Sequence, residues 1–265
     1  MKKLLSVLFV LLMVLFVVSC SGGGDDASDT DALSGTESSA DTEAPIVEKC
    51  DYTYEIVEEI VTVHETEDGR KSMKVLRYPK ISGMTDAELE SSVNATFAEI
   101  AAKQYTVNVP DAEIYIIEDT VFNYEVEKVE VTFLSNSFIS VKNTVYSMTA
   151  MDNYPNCPVY TVNIDLTNGN VIEEDDIFGD FNVITSGFLA GDYTMVYGAD
   201  DLMDNTNYED MILQYKSDYA SYPDVYFTED SLVICIDLVA SLGTSAGFSV
   251  PISAVADSLD FNPIK

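Results

Sequence analysis

Gly243-Thr244-Ser245-Ala246-Gly247 has the G-x-S-x-G spacing of a nucleophile elbow. In such an elbow a strained strand-to-helix turn exposes a serine hydroxyl, and a histidine later in the chain takes its proton. Here the residues after the motif read as a strand, and the single histidine, His64, lies 181 residues upstream of Ser245. The motif therefore reads as a glycine-rich turn. His64 ends a strand beside a glutamate-rich turn and reads as a surface residue. Glu173-Glu174-Asp175-Asp176 and the trio Asp200, Asp201 and Asp204 could offer oxygen ligands to a hard cation. Neither has the alternating spacing and glycine of an EF-hand loop, so both read as solvated acidic runs or as the first turn of a helix, where the dipole favours acids. The chain has no Cys-x-x-Cys, no His-x-x-His and no phosphate loop. No catalytic residue, metal site or cofactor is expected. A pair of facing carboxylates for glycoside hydrolysis stays open, because sequence spacing says nothing about separation in space.

A different chemistry is written at the start of the chain. Lys2 and Lys3 precede an apolar run from Leu4 to Val18, which closes on Val17-Val18-Ser19-Cys20. That is the layout of a secretory signal peptide ending in a lipobox. The run is shorter than the roughly 20 apolar residues a spanning helix needs. The segment resembles that of bacterial lipoproteins, in which the cysteine becomes the first residue and carries acyl chains. The resemblance implies that residues 1–20 are a lipoprotein signal peptide, that Cys20 is the lipidation site, and that the protein works outside the cytoplasm, anchored to the cell envelope. Each buried methylene contributes about 0.8 kcal/mol, so two or three chains anchor stably where one does not.

Residues 21–51 are rich in Ser, Gly, Asp, Thr, Glu and Ala and read as a disordered acidic linker. As a flexible coil its 31 residues reach about 30 Å. Residues 52–265 form the body, large enough to bury roughly 70% of its unfolded surface, with room for two subdomains at about 52–150 and 151–265. The whole chain carries 46 acidic against 13 basic residues, a net charge of −33, and the body holds 37 and 10 of them. Such a surface excludes nucleic acid as a partner and suits cationic ones. Besides Cys20 there are Cys50, Cys157 and Cys235, which allow at most one disulfide from three pairings. Cys235 lies in an apolar strand and reads as a buried small hydrophobe.

Strands are expected over 52–64, 73–78, 114–117, 121–134, 138–148, 159–166, 226–227, 232–238 and 248–252, where β-branched and aromatic residues cluster. Asp68-Gly69 and Asn168-Gly169 mark hairpin bends. The clearest helix begins at a capping box of Thr85 and Glu88 and carries Leu89, Val93, Phe97 and Ile100 on one face, to about Tyr105. Shorter helices are expected over 177–189, 203–219 and 253–259. The fold class is α+β, with mostly antiparallel sheets and a few packed helices.

Several stretches resemble one known family. Tyr78-Pro79-Lys80-Ile81-Ser82-Gly83 before a helix is similar to the opening of the extracytoplasmic domain of RsiV-type anti-sigma factors, which also occurs in the noncatalytic N-terminal region of some peptidoglycan deacetylases. Tyr160 to Leu166 with Thr167-Asn168-Gly169 and Asp176-Ile177-Phe178, then Phe227 to Ile236 and Gly247 to Val255, resemble later segments of that domain. The likeness spans residues 52–259. Two departures matter. The turn 151–156 lacks the histidine that many members carry, and only Met-Lys-Lys precedes the apolar run, leaving no sigma-binding segment. The resemblance implies a sensor or binding module and no catalysis. Its partners would be the membrane through Cys20 and a lysozyme-like cationic protein or cell-wall glycan. The alternatives are a carboxylate-dependent enzyme acting on cell-wall glycan and a structural envelope module.

Overall fold

A long β-hairpin opens the first of two sheets. The computed structural model describes residues 50–149, 152–212, 215 and 222–263. Residues 44–265 form one compact unit. Among the described residues the hydrophobic clusters, two large and one small, all lie inside it. Strand β1 (Thr53–Glu65) pairs antiparallel with β2 (Lys71–Ser82) around a turn in which Gly69 takes φ +86°. Then follow α1 (Ala87–Asn108), α2 (Ala112–Ile117), β3 (Phe122–Leu134), β4 (Phe138–Thr149) and β5 (Val159–Asp165). The five strands lie in chain order, and β2–β3 is the parallel pair, matched over Met73–Val75. A parallel pair needs a crossover, which α1 and α2 supply. Helix α1 buries Val93, Phe97 and Ala101, and its core takes in Ile81, Phe122, Tyr124 and Ile139. Asn94 pins α1 to β2: its Oδ1 accepts from the Ile81 amide at 2.8 Å and its Nδ2 donates to the Ile81 carbonyl at 3.0 Å.

The second sheet grows from the rest of the chain. Helices α3 (Glu174–Ile177) and α4 (Phe181–Ala190) lead to β6 (Thr194–Tyr197). Helices α5 (Leu202–Asn205) and α6 (Tyr208–Ile212) precede β7 (Asp224–Phe227), β8 (Ser231–Asp237), β9 (Ser245–Pro251) and α7 (Ile252–Val255). The order is β6-β9-β8-β7, antiparallel throughout. Phe188 of α4 anchors its core, with its ring edge-on to Tyr208 and Phe248 at 5.1 and 4.9 Å. The class is mixed α+β with mostly antiparallel sheets, as the strand-rich sequence implies.

Local boundaries differ in instructive ways. The cap of α1 is Asp86, whose carboxylate accepts from the Glu88 and Leu89 amides, and not Thr85. The reaching acid is Glu90, which accepts from Gly83 and Met84, and not Glu88. A one-residue slip leaves the apolar face intact, so periodicity could not separate the two caps. Residues 114–117 are helical instead of extended: four apolar residues fit either state, and Pro110-Asp111 starts a turn that α2 continues. The expected helix over 203–219 breaks at Thr206-Asn207, where Asn207 Oδ1 accepts from the Asp210 amide and starts α6 afresh; residues 213–214 and 216–219 of it lie outside the described residues. The helix expected over 177–189 is likewise divided, with Asp180 capping α4. Strand β2 runs past Pro79, because its pairing to β3 ends at Val75 and a missing donor is tolerated where a ladder is incomplete. The short strand β6 was not expected at all.

The two sheets are joined side chain to backbone. Strand β7 is the edge of its sheet, and its outward backbone groups meet β4 and β5. The Phe227 amide donates to Ser140 Oγ at 2.9 Å, Ser140 Oγ donates to Asn163 Oδ1 at 2.7 Å, and Asn163 Nδ2 donates to the Val225 carbonyl at 2.9 Å. Ser140 and Asn163 are 0% and 2% exposed, so no water replaces them. Asn163→Ala should cost about 1–3 kcal/mol, the usual loss when a buried partner is left unsatisfied. Urea unfolding of residues 44–265 checks this, and an unchanged midpoint would refute the role given to the seam.

Candidate functional site

Three carboxyl groups whose pKa is raised, those of Asp224, Glu174 and Asp237, interact where β7 meets β5. Asp224 opens β7, opposite Cys235 of β8, and Glu174 opens α3. Their carboxyl groups lie close enough for the charge of Glu174 to act on Asp224. Thr161 Oγ1 of β5 donates to Asp224 Oδ1 at 3.4 Å. Burial, then the neighbouring carboxylates of Glu174 and Asp237, push Asp224 up from 3.8 to about 7 against the pull of that hydroxyl. Burial also raises Glu174, with Glu173 and Asp175 adding to it, and burial raises Asp237.

A cation and two rings line the same seam. The Lys142 ammonium of β4 lies 4.1 Å from the Tyr197 ring centroid, 5.8 Å from that of Tyr226 and 3.4 Å from Glu130 Oε2. The Cys235 thiol faces the Tyr197 hydroxyl. Burial raises both groups and Tyr226 as well. A thiol held protonated is a poor nucleophile, so Cys235 is a packed side chain, as its strand context implies. Gly247 makes room for this arrangement, since a Cβ there would overlap the Tyr197 ring.

That packing accounts for the G-x-S-x-G motif. Gly243 and Thr244 take φ +98° and +66° in a turn that leads into β9, Ser245 is buried opposite Asp237, and Gly247 seats Tyr197. A strand follows the motif, so the elbow geometry is absent. His64 belongs to the first sheet, where its Nε2 lies 3.1 Å from Asp119 Oδ1. Serine and histidine are not brought together. Of the run 173–176, Glu174 enters the cluster while Asp175 and Asp176 stay exposed in the first turn of α3. Asp200 and Asp201 precede α5 and Asp204 lies within it, and Asn205 Nδ2 bonds the Asp201 carboxylate at 3.1 Å. Among the described residues no three His, Cys, Asp or Glu side chains converge to hold a metal. Cys50, Cys157 and Cys235 are free thiols. Cys20 lies outside the described residues.

The carboxyl pair could give and take protons near neutral pH. Two grooves open on the second sheet. One of about 650 Å³ lies between α4 and α7, lined by Val183, Gly187, Tyr193, Val250 and Val255. The other, of about 320 Å³, is lined by Asp210, Met211, Asp237 and Leu242. Asp237 is the member of the acidic cluster that reaches a groove. Sequence reasoning missed Asp224, Lys142 and Tyr197, because Asp224 follows Pro223 in an ordinary turn and the other two sit in strands.

No protein-family model and no curated protein matches the chain. Solved structures that resemble its fold include two of the DUF3298 family. One, from Bacteroides fragilis, is 17% identical, with a TM-score of 0.52 over 82% of this chain and 97% of the other. The second, from Pseudomonas aeruginosa, is 10% identical, with a TM-score of 0.50 over 82% of this chain and 96% of the other. At these identities the likeness is one of fold.

The carboxyl pair gives a signed prediction. Folded Asp224 keeps its proton to about pH 7, while the unfolded chain releases it near 3.8. Its contribution to stability is thus full below pH 4, declines as pH rises, and is gone above 7. Asp224→Asn removes this dependence and should gain stability relative to the parent between pH 4 and pH 7. Urea midpoints across that range check it, and parallel curves would refute it.

Proposed function

We propose that this chain is a lipid-anchored, extracytoplasmic binding module of the cell envelope, tethered through Cys20, that recognises lysozyme-like cationic proteins, with cell-wall glycan as the other ligand class. The single observation that carries the reading is the placement of charge. From residue 143 onward, 20 acidic residues accompany two cations, Lys216 and Lys265. Asp175, Asp180, Asp192, Asp201, Asp210 and Asp230 of this half are all exposed. The ion pairs of the first sheet, such as Arg77 with Glu58 and Glu125, use cations that the second half lacks. A surface of one sign steers and holds ligands of the other. The resemblance to RsiV-type domains supports the same partner class, and the signal-like residues 1–20 support the location.

A second reading is a carboxylate-dependent enzyme acting on cell-wall glycan, favoured by the Glu174–Asp224 pair. In that case Glu174→Gln and Asp224→Asn would each abolish release of soluble fragments from purified peptidoglycan by residues 44–265. In the binding reading there is no release to abolish.

Lysozyme should bind residues 44–265 at about 150 mM and still at about 500 mM salt, since charge attraction alone is screened at the higher value. Binding confined to low salt would reduce the interaction to nonspecific attraction, and no binding at either would refute the lysozyme reading. Cys20→Ala in the full chain should move the protein from the membrane fraction to the soluble fraction.

A further inference from the structure

Four sheet edges end in the two sheets, and three are protected. Strand β7 is capped by Ser140 and Asn163. Strand β5 lies at the same seam, with Thr161 and Asn163 reaching β7. Strand β6 has four residues and a register shift at Met195/Tyr197. Strand β1 is different. It has 13 residues, 10 of them exposed, and its one irregularity lies near its end, between Thr62 and His64. It carries no proline and no lysine, the usual guards of an edge. Tyr54, Ile56 and Ile60 point to one face and are 46%, 41% and 59% exposed, and Val61 on the other is 43% exposed. Among the described residues no strand pairs with its outer side.

Charge decides what fits there. The first sheet alternates in sign from strand to strand. Strand β1 holds Glu55, Glu58, Glu59 and Glu65, and β2 holds Lys71, Lys74, Arg77 and Lys80. Glu55 opposes Lys80, Glu58 opposes Arg77 and Glu65 opposes Lys71, at 3.5, 2.7 and 3.4 Å. Arg77 then reaches Glu125 of β3 at 2.6 Å. The next strand outward continues the alternation if it is basic. A second copy of β1 fits poorly in its three longest registers, because two-fold antiparallel pairings centred on residues 58, 59 and 60 each oppose at least one glutamate to another, and like charges directly opposite destabilise a pair.

We propose that the open edge of β1 is a docking site for an extended polypeptide segment that bears Lys or Arg at alternate positions and adds to the sheet as a sixth strand. Main-chain hydrogen bonds along β1 supply affinity, and the glutamates and the Tyr54–Ile56–Ile60 face supply selection. The site is separate from the acidic second half, so its failure would leave the proposed function standing.

The test uses residues 44–265 and two labelled decapeptides of equal charge: one alternates lysine and valine, and the other has three of its valines replaced by proline. Fluorescence anisotropy should show the first binding at least about tenfold tighter, since proline cannot complete the ladder. Hydrogen exchange should slow over residues 53–65. Glu55→Gln with Glu59→Gln, both at exposed positions, should weaken the first peptide and leave the fold intact. Equal binding of the two peptides, slowed exchange only elsewhere, or dimerisation through β1 would each overturn the proposal. If lysozyme also fails to bind, the proposed function falls separately.

Discussion

The edge of β7 is buried, and its backbone would be unpaired there but for two side chains of the other sheet. A buried amide or carbonyl left without a partner costs about 1–3 kcal/mol. Ser140 and Asn163 remove that cost at Phe227 and Val225 together, in a chain of three hydrogen bonds. They also set register. The Val225 carbonyl and the Phe227 amide point away from β8, as alternate residues of an antiparallel strand do, and a slip of one residue would offer the wrong groups and invert every side chain of β7. The position of the second sheet on the first is thus a polar decision. The aromatic cluster of Phe138, Phe227 and Phe261 beside it supplies the apolar burial.

The acidic cluster follows from this seat. Thr161 precedes Asn163 by two on the same face of β5, so the contact that holds Val225 also brings Thr161 to Asp224. Asp224 is drawn out of water beside Glu174 and Asp237, and two close carboxylates out of water cannot both ionise. A proton retained to about pH 7 is therefore a by-product of docking β7. Catalytic carboxyls show the same signature, but here the seam already explains it, and Lys142 between Glu130 and two tyrosine rings is explained by the same packing.

The sequence made the hairpins, the sheet class and the apolar face of α1 legible because each is a local period: alternation along β3 and β4, and Val93 with Phe97 one turn apart. The cap of α1 falls one residue and its reaching acid two residues beyond the expected Thr85 and Glu88, since Thr85 and Asp86 are both good cap residues and only the backbone path decides between them. The serine motif is no elbow, because an elbow needs a helix after it and Phe248 and Val250 announce a strand; only Gly243 and Thr244 form the expected turn, and Ser245 to Gly247 already belong to β9. The carboxyl pair was invisible. Glu174 and Asp224 are 50 residues apart, and nothing in either stretch says that β7 must lie against β5. The seam residues Ser140 and Asn163 were equally hidden, since a polar residue in a strand reads as a surface position until a second sheet covers it.

The distribution of charge ties stability to ligands. Exposed ion pairs contribute little each, about 0–1 kcal/mol, so the pairs along β1 and β2 mainly neutralise and do not hold the sheet together. The second half has two cations for its 20 acids, so its exposed acids repel one another across the surface that Phe188, Ile234 and Phe248 must hold from within. Self-repulsion of that kind weakens the compact state and is relieved by screening. A cationic ligand relieves it more locally than salt does. Anything that binds the folded form in preference to the unfolded one stabilises it by mass action. The same acids that cost this half stability in isolation would therefore make its stability rise with any cation bound among them.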